Sequence, residues 1–303
     1  MTALAATGAA VASRRRTGPN PVLLVPALAF FLVFAIVPLV GAFVLSFTTW
    51  DGLSPLKFTG LTSWRHVLGD AQTFRSLLLT LKVMVVAWVV QTPVSLLLGV
   101  FVAGRQRYRA LLGVLYFVPL LLSSAAVAIA FKNAFDPNFG IGAAFHLPFL
   151  VQDWLGDPSL VFYVVIFVIS WQFVPLHTLF YQAGTRGIPA QLYEAATLDG
   201  AGRVKQFWYI TLPQLRNTII MSSTLMVVGS LTYFDVVFVL TGGGPGNATR
   251  LLALQMYLTG FQSYQMGPAS ALSVILVVIG LAMAFALTKF SGFARMKSDQ
   301  EGM

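Results

Sequence analysis

Long stretches without charge are the feature that most limits what this chain can fold into. The residues from Pro21 to Phe47 include no acidic or basic side chain, and similar apolar runs recur along the chain. About 20 apolar residues suffice for a helix to cross a bilayer, and a run longer than this also exceeds the core of a cleaved signal peptide. Only 10% of the 303 residues are charged, whereas a soluble domain carries about 25%. The sequence therefore predicts an all-α integral membrane protein.

The apolar runs divide the chain into six predicted transmembrane helices joined by short connections. The predicted spans are about 21–47, 76–104, 110–131, 159–185, 217–240 and 267–288. They form a membrane domain over 21–290, with polar tails over 1–20 and 291–303. The uncharged piece from Pro137 to Gln152 is too short to cross a bilayer, so we expect an external or re-entrant loop there.

The basic residues are unevenly distributed between the two sides of these spans. With the N-terminus inside, cytoplasmic segments hold 13 of the 19 lysines and arginines, and external loops hold five. Cytoplasmic loops of membrane proteins carry this excess, so both termini are predicted to be cytoplasmic. Topology thus explains the net charge of +9 without a nucleic-acid partner. The chain has no cysteine and only three scattered histidines, so neither disulfides nor a metal site are expected.

The connection between the fourth and fifth spans, residues 189–213, is predicted to form a helix, a glycine elbow and a second short helix. Ala190 to Leu198 are mostly good helix formers. Gly200 then supplies a stop, because glycine accepts the left-handed conformation that ends many helices. The predicted topology places this loop in the cytoplasm. On composition alone it is equally compatible with an amphipathic segment that rests on lipid headgroups.

The spacing within this loop resembles the EAA loop of ABC importer permeases. The residues that carry the resemblance are Glu194, Ala195, Ala196, Asp199, Gly200, Ile210, Leu212 and Pro213. The stretch from Phe234 to Asn247 is similar to the segment that follows this loop in sugar-type permeases, and Ala183-Gly184 with Ile188-Pro189 fits the same group. In span order the resemblance extends from about Val22 to Lys289.

The resemblance implies a type I ABC importer permease fold and a role as one of two permease subunits for a sugar or oligosaccharide. In that family the loop is a coupling helix that sits in a groove of the cytoplasmic ATPase. The implied partners are a second permease subunit in a heterodimer, a dimer of ATP-binding subunits, an extracytoplasmic sugar-binding protein and the lipid bilayer of the bacterial inner membrane. The chain itself would be no enzyme and would bind no cofactor, since ATP and Mg²⁺ would be used by the partner ATPase.

Two departures from the family pattern stand out. Asn217 occupies a position where many relatives have a proline. The chain also lacks the extra N-terminal spans and the large external domain of the maltose-type large subunit. It therefore resembles the smaller, six-span kind of subunit.

A sugar crossing the bilayer needs hydrogen-bond partners, and the fourth and fifth spans offer few. The candidates for lining its path are Gln172, Phe173, His177, Ser230, Tyr233 and Asp235. Asp235 is the only acidic residue in a predicted span, and such charges usually face a cavity or a partner, although Asp235 could instead cap or pair near the interface. For His177 and the aromatic residues, packing is the alternative. On a regular helix Tyr233 and Asp235 point apart, so only one of them is expected to face the path.

Two other classes of membrane protein fit the sequence less well. A carrier driven by an ion gradient usually has inverted repeats and intramembrane ionisable groups. Here no repeat is visible, and one Asp and one His are few ionisable groups for ion coupling. An integral-membrane enzyme would need clustered acids, bases, nucleophiles or metal ligands, and the predicted spans offer none.

Overall fold

The structure is a computed structural model that describes residues 21–104 and 106–290. The chain divides into two units, residues 1–42 and 43–303. A helical segment from Val25 to Leu45 begins in the first unit and ends in the second. Its mean hydropathy is 2.8, and it is long enough to cross a membrane. The predicted tails, 1–20 and 291–303, lie outside the described residues. The elements of this run are a 3₁₀ turn (Pro21–Leu24), α1 (Val25–Phe31), a π-helical stretch (Leu32–Ile36) and α2 (Val37–Leu45).

A short hairpin and a small helix follow. β1 (Thr48–Thr49) pairs antiparallel with β2 (Lys57–Phe58), and α3 spans Thr62–Gly69. Asp51 shapes the turn of the hairpin, because its Oδ1 accepts the backbone N–H groups of Ser54 and Leu53 at 2.7 and 2.9 Å. These hydrogen bonds, the one from Ser54 foremost, lower the pKa of Asp51 to about 2.

α4 (Ala71–Val102) is the longest helix, and Asp70 caps its N-terminus. The Asp70 carboxylate accepts the backbone N–H groups of Gln72 and Thr73 at 3.0 and 3.1 Å, which satisfies two of the free donors at the helix start. Partial burial alone would raise the pKa of Asp70, but these bonds together lower it below its usual range. The cap therefore fixes the start of α4 at Ala71, shortly before the predicted second span.

The third predicted span is not one helix. α5 (Arg107–Leu121) and α6 (Ser124–Ala134) meet at an angle of 97°. Ser123 is extended and its Oγ accepts the Ala126 N–H at 3.2 Å, so it caps a new helix rather than continuing the old one. The predicted span over 110–131 is therefore built from two helices, because a capping serine interrupts the run of apolar residues, and the span itself stays a prediction.

α8 is the most buried of the long helices, and it packs closely on α4. After α7 (Ile141–Ala144) and a 3₁₀ turn (Pro148–Leu150), α8 runs over Val161–Arg186. A Cβ added to Gly99 of α4 would lie 2.5 Å from the Cβ of Tyr181 and 2.9 Å from the Thr178 carbonyl oxygen. Only glycine permits this approach, and small residues at such contacts are how membrane helices gain packing energy.

The remaining helices carry the loop and the second half of the membrane domain. They are α9 (Ala190–Leu198), α10 (Arg203–Gln206), a π-helical stretch (Phe207–Thr211), α11 (Leu212–Gln214), α12 (Arg216–Ser230), α13 (Asp235–Leu240), α14 (Leu252–Tyr257), a second π-helical stretch (Leu258–Gln262) and α15 (Met266–Phe290). Thr80 joins α14 to α4, because its hydroxyl oxygen accepts the Leu252 N–H at 2.9 Å.

The fifth predicted span, 217–240, is also broken. α12 ends at Ser230 and α13 begins at Asp235. The hydroxyls of Ser230 and Thr232 donate to the carbonyls of Val227 and Gly229 at 2.7 and 2.8 Å. Such local bonds offer the backbone an alternative to the helical pattern, and they stand where α12 stops. The helix is interrupted inside the predicted span, and the span over 217–240 stays a prediction.

Length and apolar composition identify four helices within the described residues that could cross a membrane, or five if α5 and α6 together form one span. These are Val25–Leu45, Ala71–Val102, Val161–Arg186 and Met266–Lys289. The broken fifth segment does not meet this criterion, so a six-span topology remains a prediction. The largest core cluster joins α4, α6, α8, α13 and α14.

Candidate functional site

The loop between α8 and α12 folds as a helix followed by a tight elbow. α9 covers Ala190–Leu198, and Gly200 has a φ of +76°, the left-handed conformation predicted from the sequence. Bonds from Gly200 N to Thr197 O (3.0 Å) and from Ala201 N to Ala196 O (2.8 Å) close the turn at the end of the helix. We refer to residues 189–213 as the elbow.

Two side-chain clamps hold the elbow in shape. Nε2 of Gln206 donates to Thr197 Oγ1 at 3.0 Å and to the Ala201 carbonyl at 2.9 Å, so it bridges both arms. The Tyr193 and Thr211 hydroxyls are 2.9 Å apart, and Thr211 is buried. These contacts could not be predicted from the sequence, because a glutamine or tyrosine in a loop carries no signal of its partner.

The second arm of the elbow is anchored on the helical bundle. Phe207, Leu212 and Ile188 pack against a buried cluster formed by Leu96, Tyr181 and Leu215. Ile210 is half-buried and Pro213 is exposed. Among the motif positions at this end, Leu212 is thus the one that packs on the cluster formed by α4, α8 and Leu215.

The first arm presents its side chains outward. Glu194, Ala195, Asp199 and Gly200 are exposed, and Ala196 is half-buried. Leu198 is 90% exposed. The exposed surface of this arm combines small residues, the carboxylates of Glu194 and Asp199, and the leucine side chains of Leu192 and Leu198.

A cavity of about 330 Å³ lies where α12 breaks, near the lower end of the usual range for ligand pockets. Its walls come from α6, α8, α12, α13 and the segment between the last two. The residues that line it are Ser124, Phe173, Leu176, His177, Leu225, Met226, Gly229, Thr232, Tyr233, Phe234, Asp235 and Val236.

Four of the six path candidates line this cavity: Phe173, His177, Tyr233 and Asp235. The other two do not. Gln172 is buried with its Nε2 donating to Ser124 Oγ at 3.0 Å, and Ser230 is buried with its hydroxyl on the Val227 carbonyl.

Tyr233 and Asp235 face the same cavity, contrary to the expectation that only one of them would. That expectation assumed a regular helix, and the break between Ser230 and Asp235 removes the assumption. The Tyr233 ring stacks on Phe173 with centroids 5.4 Å apart and an interplanar angle of 29°.

Buried polar side chains surround the cavity. Nδ1 of His177 is 2.9 Å from Ser222 Oγ, and both residues are buried. The Gln91 amide, on α4, is fully buried beside the Tyr233 hydroxyl, although neither its oxygen nor its nitrogen has a hydrogen bond of good geometry. Ser124 and Gln91 were not predicted from the sequence, because their positions depend on helix packing.

No cluster of three or more histidine or carboxylate side chains that could hold a metal occurs in the part of the chain that the structure describes. The described residues instead present an exposed short helix, α9, and a small cavity with polar and aromatic walls.

The chain is similar to known proteins over most of its length. Residues 95–292 match the family described as "Binding-protein-dependent transport system inner membrane component". The chain is 33% identical over 274 residues to the probable ABC transporter permease protein YurN of Bacillus subtilis, covering 88% of this chain and 94% of that protein. It is 34% identical over 265 residues to the multiple sugar-binding transport system permease protein MsmF of Streptococcus mutans, covering 85% and 89%.

The fold also matches a solved transporter. One chain of the crystal structure of a bacterial alginate ABC transporter, in complex with an alginate pentasaccharide-bound periplasmic protein, superposes with a TM-score of 0.78 at 20% identity, over 89% of this chain and 92% of that one. The architecture is thus the helical type I permease fold of ABC transporters. The proteins of this kind are membrane components, not enzymes. On the family match and the relatives together, the chain belongs to the binding-protein-dependent transport system inner membrane components, the permease subunits of ABC transporters.

Proposed function

We propose that this chain forms half of the membrane path of an ATP-driven importer for a sugar or oligosaccharide. The observation that carries the proposal is the elbow, a rigidly clamped helix whose Glu194, Ala195 and Leu198 are free for a partner. A relative named for sugar transport, MsmF, supports the substrate class.

In this proposal the chain has four partners. A second permease subunit completes the path, and a dimer of ATP-binding subunits, which uses ATP and Mg²⁺, receives α9. An extracytoplasmic binding protein delivers the sugar, as a periplasmic protein does for the alginate transporter. The lipid bilayer is the fourth partner. The chain itself binds no nucleotide.

The proposed orientation has six spans, with both termini and the elbow in the cytoplasm of a bacterial cell. Two exposed lysines test it, since the chain has no native cysteine. Lys57→Cys should react with an impermeant thiol reagent from outside intact cells, and Lys205→Cys only after the cells are opened. Labelling of both from outside would overturn the orientation.

The coupling role is tested by charge reversal on the elbow. Glu194→Lys should lower sugar uptake at least about tenfold in the complete transporter, while ATP hydrolysis becomes independent of transported sugar. Lys205→Glu, an equal reversal on the other arm, is the control and should retain uptake within about twofold. Equal, parental uptake in both variants, with normal assembly, would remove α9 from the coupling mechanism.

The path is tested at the cavity. Asp235→Asn, His177→Ala and Tyr233→Ala should each lower uptake at limiting sugar. Asparagine lacks the charge that strengthens a hydrogen bond from a sugar hydroxyl, and the two alanine variants remove a polar or aromatic contact altogether. Leu179→Ala, on an exposed position of α8, is the control. Parental uptake in all three cavity variants would place the path elsewhere.

A further inference from the structure

The cavity carries charge of one sign only. Asp235 is the sole acidic residue among those that line it, and no lysine or arginine of the described chain joins it there. Its other titratable side chains, His177 and Tyr233, belong to types that are ordinarily neutral above pH 7. The remaining walls are largely apolar, with Leu176, Met226 and other aliphatic and aromatic residues.

The break in the fifth segment places this charge on the cavity wall. Asp235 is the first residue of α13 and its side chain is exposed. Its carboxylate does not cap the helix, and no hydrogen bond to the residues described here occupies it. The negative charge is therefore available to whatever enters the cavity.

Low-dielectric walls strengthen the effect of such a charge. Apolar lining screens a carboxylate less than bulk water does and focuses its field into the cavity. A cation or a neutral hydroxyl donor is attracted to it, whereas a second carboxylate is repelled. At about 6 Å, a separation that a ligand in a cavity of this size allows, the bias amounts to roughly an order of magnitude in relative occupancy.

We propose that Asp235 is a charge filter that admits neutral sugars and amino sugars to the path and disfavours uronic acids. The inference rests on the proposed function, since it specifies the substrate class of the same cavity. Thr232, exposed on the wall three positions from Asp235 in sequence, is a reporter site for the local charge.

The first measurement is the labelling rate of Thr232→Cys in the assembled transporter at pH 7.5, with a cationic and an anionic methanethiosulfonate reagent. The absence of native cysteine makes the reaction specific. Relative to a free thiol in solution, the cationic reagent should be favoured about fivefold or more. Adding Asp235→Asn should abolish the bias, whereas adding Asp157→Asn, which removes an equal charge from a loop outside the cavity, should preserve it. The same bias with and without Asp235 would overturn the filter.

The second measurement is protection of Thr232→Cys from labelling by three disaccharides of different charge. Neutral N,N′-diacetylchitobiose and its cationic de-acetylated form should protect at lower concentrations than digalacturonate, by about fivefold or more, and Asp235→Asn should remove the difference. Equal protection by all three in the parent would overturn the filter while leaving the sugar path intact. A reporter cysteine that labels normally but is protected by none of them would count against the proposed function itself.

Discussion

The elbow and the cavity are built in opposite ways. The elbow takes its shape from residues close together in sequence: Gly200 sets the turn, and Gln206 bridges its two arms. The cavity is assembled from α6, α8, α12 and α13, and it exists because α12 stops at Ser230. A local motif therefore specifies the surface that we propose meets a partner, whereas packing between distant helices specifies the cavity that we propose meets a sugar.

The two regions nevertheless depend on the same pair of helices, α4 and α8. α8 contributes His177 to the cavity and Tyr181 to the cluster on which the elbow is anchored. The close contact between Gly99 and Tyr181 joins α8 to α4 at that level. Substitutions at the contact between α4 and α8 should affect both the elbow and the cavity, and substitutions within one region should leave the other intact.

The largest effect is expected from Gly99→Val. A side chain there would overlap the Cβ of Tyr181 and the Thr178 carbonyl, both of which are fixed to the backbone of α8. The helices must separate, so assembled transporter should fall at least about tenfold, as measured by copurification with the partner subunits. Gly41→Val, where an added Cβ meets nothing within 4 Å, is the control. Normal assembly of Gly99→Val would show that the two regions do not depend on this contact.

The elbow could be predicted from the sequence better than the cavity, because its shape depends on local residues and the cavity depends on contacts between distant helices. The elbow and the left-handed Gly200 were predicted because helix formers followed by Asp-Gly are a local signal. The helical membrane fold was predicted from the long apolar runs of the sequence. Both helix breaks were missed, since Ser123 and Thr232 stand within apolar stretches whose composition favours a continuous span. The shared position of Tyr233 and Asp235 was missed for the same reason, and the Gln91 contact depends on which helices meet.

Gly200→Val should separate the regions. A β-branched residue is strongly disfavoured at a φ of +76°, so the elbow should change shape while the helical bundle remains folded. Uptake should fall about tenfold with parental assembly. Gly202→Val is a matched control, because Gly202 has an ordinary φ of −70° and open space around its Cβ position.

Protection of the cavity reporter Thr232→Cys by N,N′-diacetylchitobiose should be unaffected by Gly200→Val. Loss of protection would show that the elbow shapes the cavity even at rest. Equal uptake in Gly200→Val and Gly202→Val would show that the left-handed turn is dispensable for coupling.

The smallest effect is expected from Gln206→Leu, which removes the bridge between the arms and leaves the turn in place. Leucine keeps a similar volume but cannot donate to Thr197 Oγ1 or to the Ala201 carbonyl. A hydrogen bond in a partly solvated site contributes about 0.5–1.5 kcal/mol, and the backbone bonds around Gly200 remain, so the elbow should loosen without unfolding. The expected result is about two- to fivefold more ATP hydrolysed per sugar imported, with parental assembly.

Gln214→Leu, at an exposed glutamine of α11, is the control and should leave this ratio unchanged. A parental ratio in Gln206→Leu would mean that the Tyr193–Thr211 contact and the turn hold α9 sufficiently by themselves, and a loss as large as that of Gly200→Val would mean that the elbow has no shape of its own without the bridge.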